Sequence, residues 1–324
     1  MSEFNQAIYA CHLDGAGGGR EIAPPPSDFE APPPGFLWVH LNRGNPVSHG
    51  WLENESGLDS LVVEALLAEE TRPRCSPHGE GLILNLRGIN LNPGAEPEDM
   101  VAVRLWIEST RVISVRGRRI MAVADMKQDI DSGYGPTDVG GFIAELADKL
   151  VERMAPVVTQ LEDRVDDLED EALLIEPQAL RAQVSDLRRQ IIFLRRYIAP
   201  QREAIGRLSA LTTAWLDPRD HRQLHEISER ITHYVEDLGV AWERMAVIQD
   251  EVNSRFAEQI NRAMYLLSIV ACVFLPLTLL TGLLGINVAG IPWAENHWAF
   301  AAVCLLLFVL CGFELWIFKK LKWI

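Results

Sequence analysis

The pattern of hydrophobic and polar residues changes abruptly near residue 263. From there to residue 294 the chain contains no charged side chain, and a second apolar run covers residues 298–318. A helix that crosses a bilayer needs about 20 apolar residues, and both runs meet that length. We therefore predict membrane spans at residues 263–285 and 298–318, joined by a loop at residues 286–297 that contains Gly290 and Pro292.

The first third of the chain has the pattern of a mixed α/β domain, which we place at residues 1–135. Short β-rich runs bounded by Gly, Pro or Asn predict strands, and helical periodicity at residues 61–70 and 119–131 predicts helices against a sheet. The predicted strands cover residues 7–13, 36–41, 81–89, 100–108 and 111–116.

From about residue 139 the pattern is helical. Proline disfavours helix in the residue before it, so Pro177 and Pro218 mark two breaks. These breaks predict a helical hairpin at residues 136–216, with a second helix at residues 178–214, and then a stalk helix from about Arg219 to residue 284. The first helix of the hairpin carries a coiled-coil seam, with apolar residues at alternating intervals of three and four: Val158, Leu161, Val165, Leu168, Ala172 and Ile175.

The stalk helix would be roughly 100 Å long at 1.5 Å per residue. Residues 217–262 are expected to form its cytosolic part, and residues 263–285 the first span. The expected fold class is therefore an α+β cytosolic domain with a long helical stalk and two C-terminal transmembrane helices.

Charge limits the partners and orients the chain. The formal net charge is −15 over 324 residues, and an acidic chain repels nucleic acid, so we expect no DNA or RNA partner. The first residues lack the basic and apolar regions of a signal peptide, which predicts a cytosolic soluble part. The tail at residues 319–324 carries three lysines, whereas the loop at residues 286–297 has no Lys or Arg. The positive-inside rule therefore predicts that both termini are cytoplasmic.

One face of the stalk helix and first span carries mostly small and polar residues, and we name it the heptad stripe. Asp250, Ala257, Met264, Ala271 and Thr278 follow at intervals of seven, and Ser254, Asn261, Ser268, Leu275 and Gly282 lie four residues after each. The stripe either lines a water-filled pore between several copies or forms a close helix–helix contact, for which small residues are also suited. Asp250 and Asn261 on the same stripe favour the pore, because close helix packing gains nothing from an acid.

The tripeptide Gly285-Ile286-Asn287 stands where the first span meets the outer face. An amide oxygen and backbone carbonyls can contact the water shell of a divalent cation without removing it. Gly285 and Gly290 allow the chain to turn with its carbonyls exposed. A Gly-x-Asn tripeptide is weak alone, but its position after a very long helix and before a second span makes it specific.

With these features the chain resembles the CorA-type divalent-cation transporters, a two-span family with a Gly-Met-Asn signature. The resemblance covers the whole chain in order: α/β domain, helical hairpin, stalk helix, signature turn, second span and basic tail. The chain departs from the pattern at Ile286, where the magnesium members have Met. Gly-Ile-Asn followed by Val-Ala-Gly-Ile-Pro is more similar to the zinc-transporter branch, ZntB.

The resemblance implies a funnel-shaped homopentamer in the bacterial inner membrane, with the first spans around a central pore. Asn287 would form a ring that meets the hydrated ion, and Thr278, Met264, Asn261 and Asp250 match pore-facing positions. The resemblance further implies transport of Zn²⁺, driven in some members by the proton gradient. No bound cofactor is implied, and the divalent cation is cargo.

Several His and Cys residues have spacings that could bind zinc, each beside an ordinary structural interpretation. His221, His225 and His233 fall on one face of the stalk helix, although a solvated helix face accounts for them more simply. Cys75 and His78 are expected in a turn, but a closed site needs four ligands. In the outer loop, Glu295 and His297 could concentrate cations, or they could be ordinary loop polarity.

We find no nucleophile–base pair, no Walker loop and no dinucleotide fingerprint, so an enzyme is not expected. Two alternatives to zinc transport remain. The first is a Mg²⁺, Co²⁺ or Ni²⁺ channel of the same fold, which Ile286 alone disfavours. The second is a membrane-anchored metal sensor without transport.

Overall fold

The structure is a computed structural model, and it describes residues 7–24, 26, 35–172, 174, 176–286, 291 and 296–321. The chain divides into two compact units, Met1–Gln249 and Asp250–Ile324.

The first unit contains a mixed sheet of seven strands within the described residues. They are β1 (Ile8–Leu13), β2 (Gly19–Glu21), β3 (Phe36–Asn42), β4 (Arg74–His78), β5 (Gly81–Gly88), β6 (Val101–Ile107) and β7 (Arg111–Arg116). The order across the sheet is β2-β1-β3-β7-β6-β5-β4. The central strands β3 and β7 pair in parallel, and the other neighbours are antiparallel.

Helices cover both faces of this sheet. Alternate residues of a strand point to opposite faces, so Leu37 and Val39 of β3 pack with α1 (Pro46–Asn54) and α2 (Ser60–Leu67) in one core cluster. On the other face Trp38 meets Phe142 of α4 (Val139–Glu152), with ring centroids 5.1 Å apart, and α3 (Met121–Asp131) packs against α4. The helices on both faces explain why β3 and β7 are buried along almost their whole length.

The predicted α/β domain is confirmed in its main elements, with three omissions. All five predicted strands and both predicted helices are present within a few residues. The sequence analysis missed β2 and β4, which are the two edge strands. The exposed β2 has no buried residue, and β4 contains Pro77, which a sheet tolerates at an edge. It also missed α1, although Asn45 caps the first turn and Pro46 occupies it.

The predicted hairpin consists of α5 (Ala155–Glu171) and α6 (Pro177–Ser209). The predicted seam on α5 is buried from Val158 to Ala172, and Ile175 lies outside the described residues. The second helix of the hairpin, α6, ends at Ser209 and not at residue 214, so it is shorter than predicted. Two threonines with low helix propensity follow, and the ring of His221 donates to the Ser209 carbonyl at 2.8 Å, which satisfies one free carbonyl of the last turn.

The predicted long helix is confirmed as α7 (Pro218–Leu284), a single helix of 67 residues. Its start follows from Asp217, whose carboxylate accepts from the amides of Arg219 and Asp220 at 2.6 and 2.8 Å. Pro218 fits the first turn because it has no N–H to leave unpaired. Within the first unit, α7 buries one seam: Leu224, Ile227, Ile231, Leu238, Ala241, Met245 and Ile248.

The second unit holds the C-terminal part of α7 and α8 (Ala299–Lys320). In the described part of the chain, α7 and α8 are long and apolar enough to cross a membrane, with mean hydropathies of 2.4 and 2.5 over their most apolar windows. Large apolar side chains such as Leu267 and Phe308 are 70% and 81% exposed, as expected for surfaces that face lipid or other helices. The prediction of two apolar C-terminal helices is therefore confirmed.

Candidate functional site

The heptad stripe lies on α7 within the second unit. Its ten residues from Asp250 to Gly282 are exposed in the single chain, together with apolar residues on the other faces of this helix. Ser268 already donates its hydroxyl hydrogen to the Met264 carbonyl at 2.8 Å. It therefore presents only oxygen lone pairs to its surroundings, which suits contact with a cation or its water shell.

The stripe extends further toward the N-terminus than the sequence analysis placed it. Counting back by sevens from Asp250 and Ser254 reaches Glu243 and Val247, and one further heptad reaches Glu236 and Val240. All four are exposed, with Val240 and Val247 at 57% and 69%. The same heptad arithmetic could have found them.

The face of α7 that carries these residues is opposite to the face packed in the first unit. At 100° per residue, the mean direction of Glu243 and Val247 lies about 150° from that of Met245 and Ile248, which are buried. One side of α7 thus packs within its own chain, and the other is left free over at least two heptads. A free face of this kind is available to other copies of the chain or to water.

The first span ends at the signature tripeptide. The amide of Gly285 donates to the carbonyls of Thr281 and Gly282 at 2.9 and 3.2 Å. The hydroxyl of Thr281 donates to the carbonyls of Leu277 and Thr278. Hydrogen bonds within the last turns therefore satisfy carbonyls at the end of α7. Ile286 follows this end and is 49% exposed. Asn287 and Glu295 lie outside the described residues, and His297 is exposed just before α8.

The three histidines of α7 differ in their surroundings. His221 is half-buried and uses Nδ1 to hold the end of α6. His225 and His233 are exposed and line an open groove of about 840 Å³ with Glu226, Glu229 and Asp148 of α4. Among the residues that the structure describes, no group of three or more His, Cys, Asp or Glu side chains is arranged to hold a metal ion.

Cys75 and His78 were expected in a turn, but both lie in the edge strand β4. Residues three apart in a strand point to opposite faces, so these two side chains diverge. Cys75 is buried at 4% exposure, and burial raises the pKa of its thiol to about 11, which keeps it protonated and a poor metal ligand at neutral pH.

A long helix with a free stripe, followed by the Gly285-Ile286-Asn287 sequence and a second apolar helix, is the pattern expected of a membrane protein of the ion-transporter class. The sequence matches the family described as CorA-like Mg²⁺ transporter protein over residues 34–320. The chain belongs to this family, which consists of ion transporters.

Known relatives align with this chain over nearly its whole length. The divalent cation transporter CmaX of Pseudomonas aeruginosa is 39% identical over 98% of this chain and 96% of its own length. The zinc transport protein ZntB of Yersinia enterocolitica is 38% identical over 99% of this chain and 97% of its own length. The structure of full-length CmaX is similar to this one with a TM-score of 0.80 at 38% identity, and the match covers 97% of each chain. The fold of the whole chain is therefore that of this family.

Proposed function

We propose that this protein transports divalent metal cations, above all Zn²⁺, through the central pore of a homopentamer in the bacterial inner membrane. The observation that carries the proposal is the heptad stripe, which begins on the free face of α7 and continues through the first apolar run. Five such helices around an axis would surround a path lined by small and polar groups. Membership of an ion-transporter family and the names of the two relatives support the cargo class.

Each part of the path has a chemical role. Asn287 is proposed to form a ring of amide oxygens that contacts the hydrated ion at the outer mouth. Glu295 and His297 would raise the local cation concentration there. Within the span Thr278, Ser268 and Asn261 would contact the water shell, and Asp250 would attract the ion toward the cytosol. The lysines of the tail at residues 319–324 support cytoplasmic termini.

Zinc is preferred over magnesium as cargo because of Ile286 and the likeness to ZntB. The competing candidate, a Mg²⁺, Co²⁺ or Ni²⁺ channel, is favoured by the description of the family. Neither cargo requires a bound cofactor or a catalytic step, and we propose that the protein is not an enzyme.

Uptake of radiolabelled Zn²⁺ into proteoliposomes of the purified protein tests the proposal. We expect Zn²⁺ uptake that persists in excess Mg²⁺ and increases when an inward proton gradient is imposed. Abolition of Zn²⁺ uptake by modest Mg²⁺ would favour the competing channel, and uptake no greater than in empty liposomes would exclude transport.

A further inference from the structure

Three arginines in the first unit converge on one small cavity. Arg43 follows β3, Arg87 lies in β5 and Arg104 lies in β6, and together they line a cavity of about 280 Å³. Arg104 is only 2% exposed. Tyr197 of α6 forms another wall, and its ring centre is 4.2 Å from the guanidinium carbon of Arg87.

Part of the role of these arginines is structural. Arg104 donates Nη2 to the carbonyls of Ala68 and Glu69 at 2.7 and 3.0 Å, and Arg87 donates Nη2 to that of Thr71 at 2.8 Å. Arg43 makes a longer bond of 3.4 Å to the carbonyl of Leu67, the last residue of α2. The three side chains thus hold the C-terminal end of α2, where free carbonyls and the helix dipole attract positive charge.

These carbonyls carry no net charge, so the hydrogen bonds to them do not neutralise the guanidinium groups. Among the described residues, none of the three arginines forms a salt bridge, and the buried Nε atom of each has no hydrogen-bond partner. Burial, together with the charges of Arg43 and Arg87, lowers the pKa of Arg104 to about 10. A buried charge is retained at low cost only when it is paired, so Arg104, with the two half-buried arginines beside it, favours a bound anion.

Glu70 and Asp99 attract Arg87 from a distance, but no acidic residue in the described part of the chain forms an ion pair with any of the three arginines. Asp99 is held by Arg118 in an ion pair at the rim. Glu69 and Glu70 also lie at the rim, but both are exposed to solvent. Their charges are screened by water and counter-ions, whereas Arg104 is almost fully enclosed.

We propose that the arginine cavity binds a small tetrahedral oxyanion, such as inorganic phosphate or sulfate. Guanidinium groups present paired donors that match the geometry of such an anion. The volume is below the roughly 300–1,000 Å³ of pockets for drug-sized molecules, which favours a small ligand. The proposal concerns only the first unit and is independent of which metal is transported.

Isothermal titration of the purified full-length protein with phosphate, at constant ionic strength set by chloride, tests the proposal. We expect saturable binding of one phosphate per chain that chloride does not reproduce. Arg43→Gln and Arg104→Gln should each weaken the affinity about ten-fold, because each removes charged donors to the anion. Arg74→Gln is the matched control, since Arg74 is exposed on β4 and does not line the cavity.

Arg43→Gln keeps the test decisive if Arg104→Gln fails to fold, because Arg43 contributes only one long hydrogen bond to α2. Its thermal unfolding should match that of Arg74→Gln. Absence of saturable phosphate binding to the wild type would overturn the proposal, as would equal phosphate affinity in Arg43→Gln and Arg74→Gln.

Discussion

Asn287 is the single residue on which the proposed outer mouth depends. Replacement by Ala should lower Zn²⁺ uptake by about ten-fold or more, because each copy would lose the amide that contacts the hydrated ion. Asn296→Ala is the matched control, since Asn296 is an amide in the same loop whose oxygen accepts from the amide of Trp298 at 2.9 Å. Unchanged uptake in Asn287→Ala would contradict the proposed role of Asn287, whereas metal binding with no uptake above empty liposomes in the wild type would support a sensor without transport.

His40 makes the stability of the sheet dependent on pH. Its ring is buried beside Ser114 Oγ, at 2.8 Å from Nδ1, and burial, together with the charge of Arg116, lowers its pKa from 6.5 to about 3. The folded state therefore binds fewer protons than the unfolded state between these values. Stability is fully present above pH 6.5 and falls as the pH decreases, by about 2 kcal/mol at pH 5.

Hydrogen exchange of the β3 and β7 amides measures this dependence. Protection in the wild type should fall between pH 7 and pH 5, after correction for intrinsic exchange, and His40→Asn should show a shallower fall. The exposed His225→Asn should behave as the wild type. An equally steep fall in His40→Asn would show that His40 does not carry the effect.

The sequence was enough to place the heptad stripe on one face of a helix, whereas it did not indicate how the candidate residues of the sheet domain are arranged. The heptad stripe required only the period of a helix, and α7 has that period without a break. To place the Cys75 and His78 side chains, Arg74–His78 had to be recognised as a strand, and the polar sequence of this segment does not indicate one. The three arginines of the cavity are up to 61 positions apart, from Arg43 to Arg104, and no local spacing indicates the cavity.

At the scale of elements, α7 is predicted to present one wet face within the membrane. Ala271 belongs to the stripe, and Val270 lies about 100° away, on the side toward the continuation of the buried seam. We therefore expect a charged thiol reagent to block Zn²⁺ uptake by Ala271→Cys and to leave uptake by Val270→Cys unchanged. Both variants need a background in which Cys272, Cys304 and Cys311 are replaced by Ala, so that no native thiol of the spans reacts.

Equal block of the two variants, or block of Val270→Cys alone, would place the wet face elsewhere on α7. Block of neither, with both variants still active in uptake, would show that the stripe is buried in a helix–helix contact.

The elements that the sequence predicted best are those with strong periodicity or a buried strand pattern. The hairpin seam and α7 repeat every three or four residues, and β3 is apolar along nearly its whole length. The elements it missed, β2, β4 and α1, are short or polar, and they are stabilised by pairing with the next strand along the chain or by a cap rather than by their own pattern.

At the scale of the whole molecule, long-range pairing decides the sheet and is not visible in local patterns. The parallel contact of β3 with β7 joins residues more than 70 positions apart, such as Trp38 and Val112. The family resemblance implied the architecture because it compares the order of all elements at once. The membrane helices also expose large side chains, including Phe274 at 61%, which lipid or other copies would cover.

The central claim is that five copies enclose the pore, and native mass spectrometry of the protein released from lipid nanodiscs tests it most directly. The account predicts a dominant species of five times the 36.3 kDa chain. A monomer or dimer as the dominant species, under conditions in which the same preparation carries Zn²⁺, would contradict it, because neither can surround a central path with the stripes of five helices.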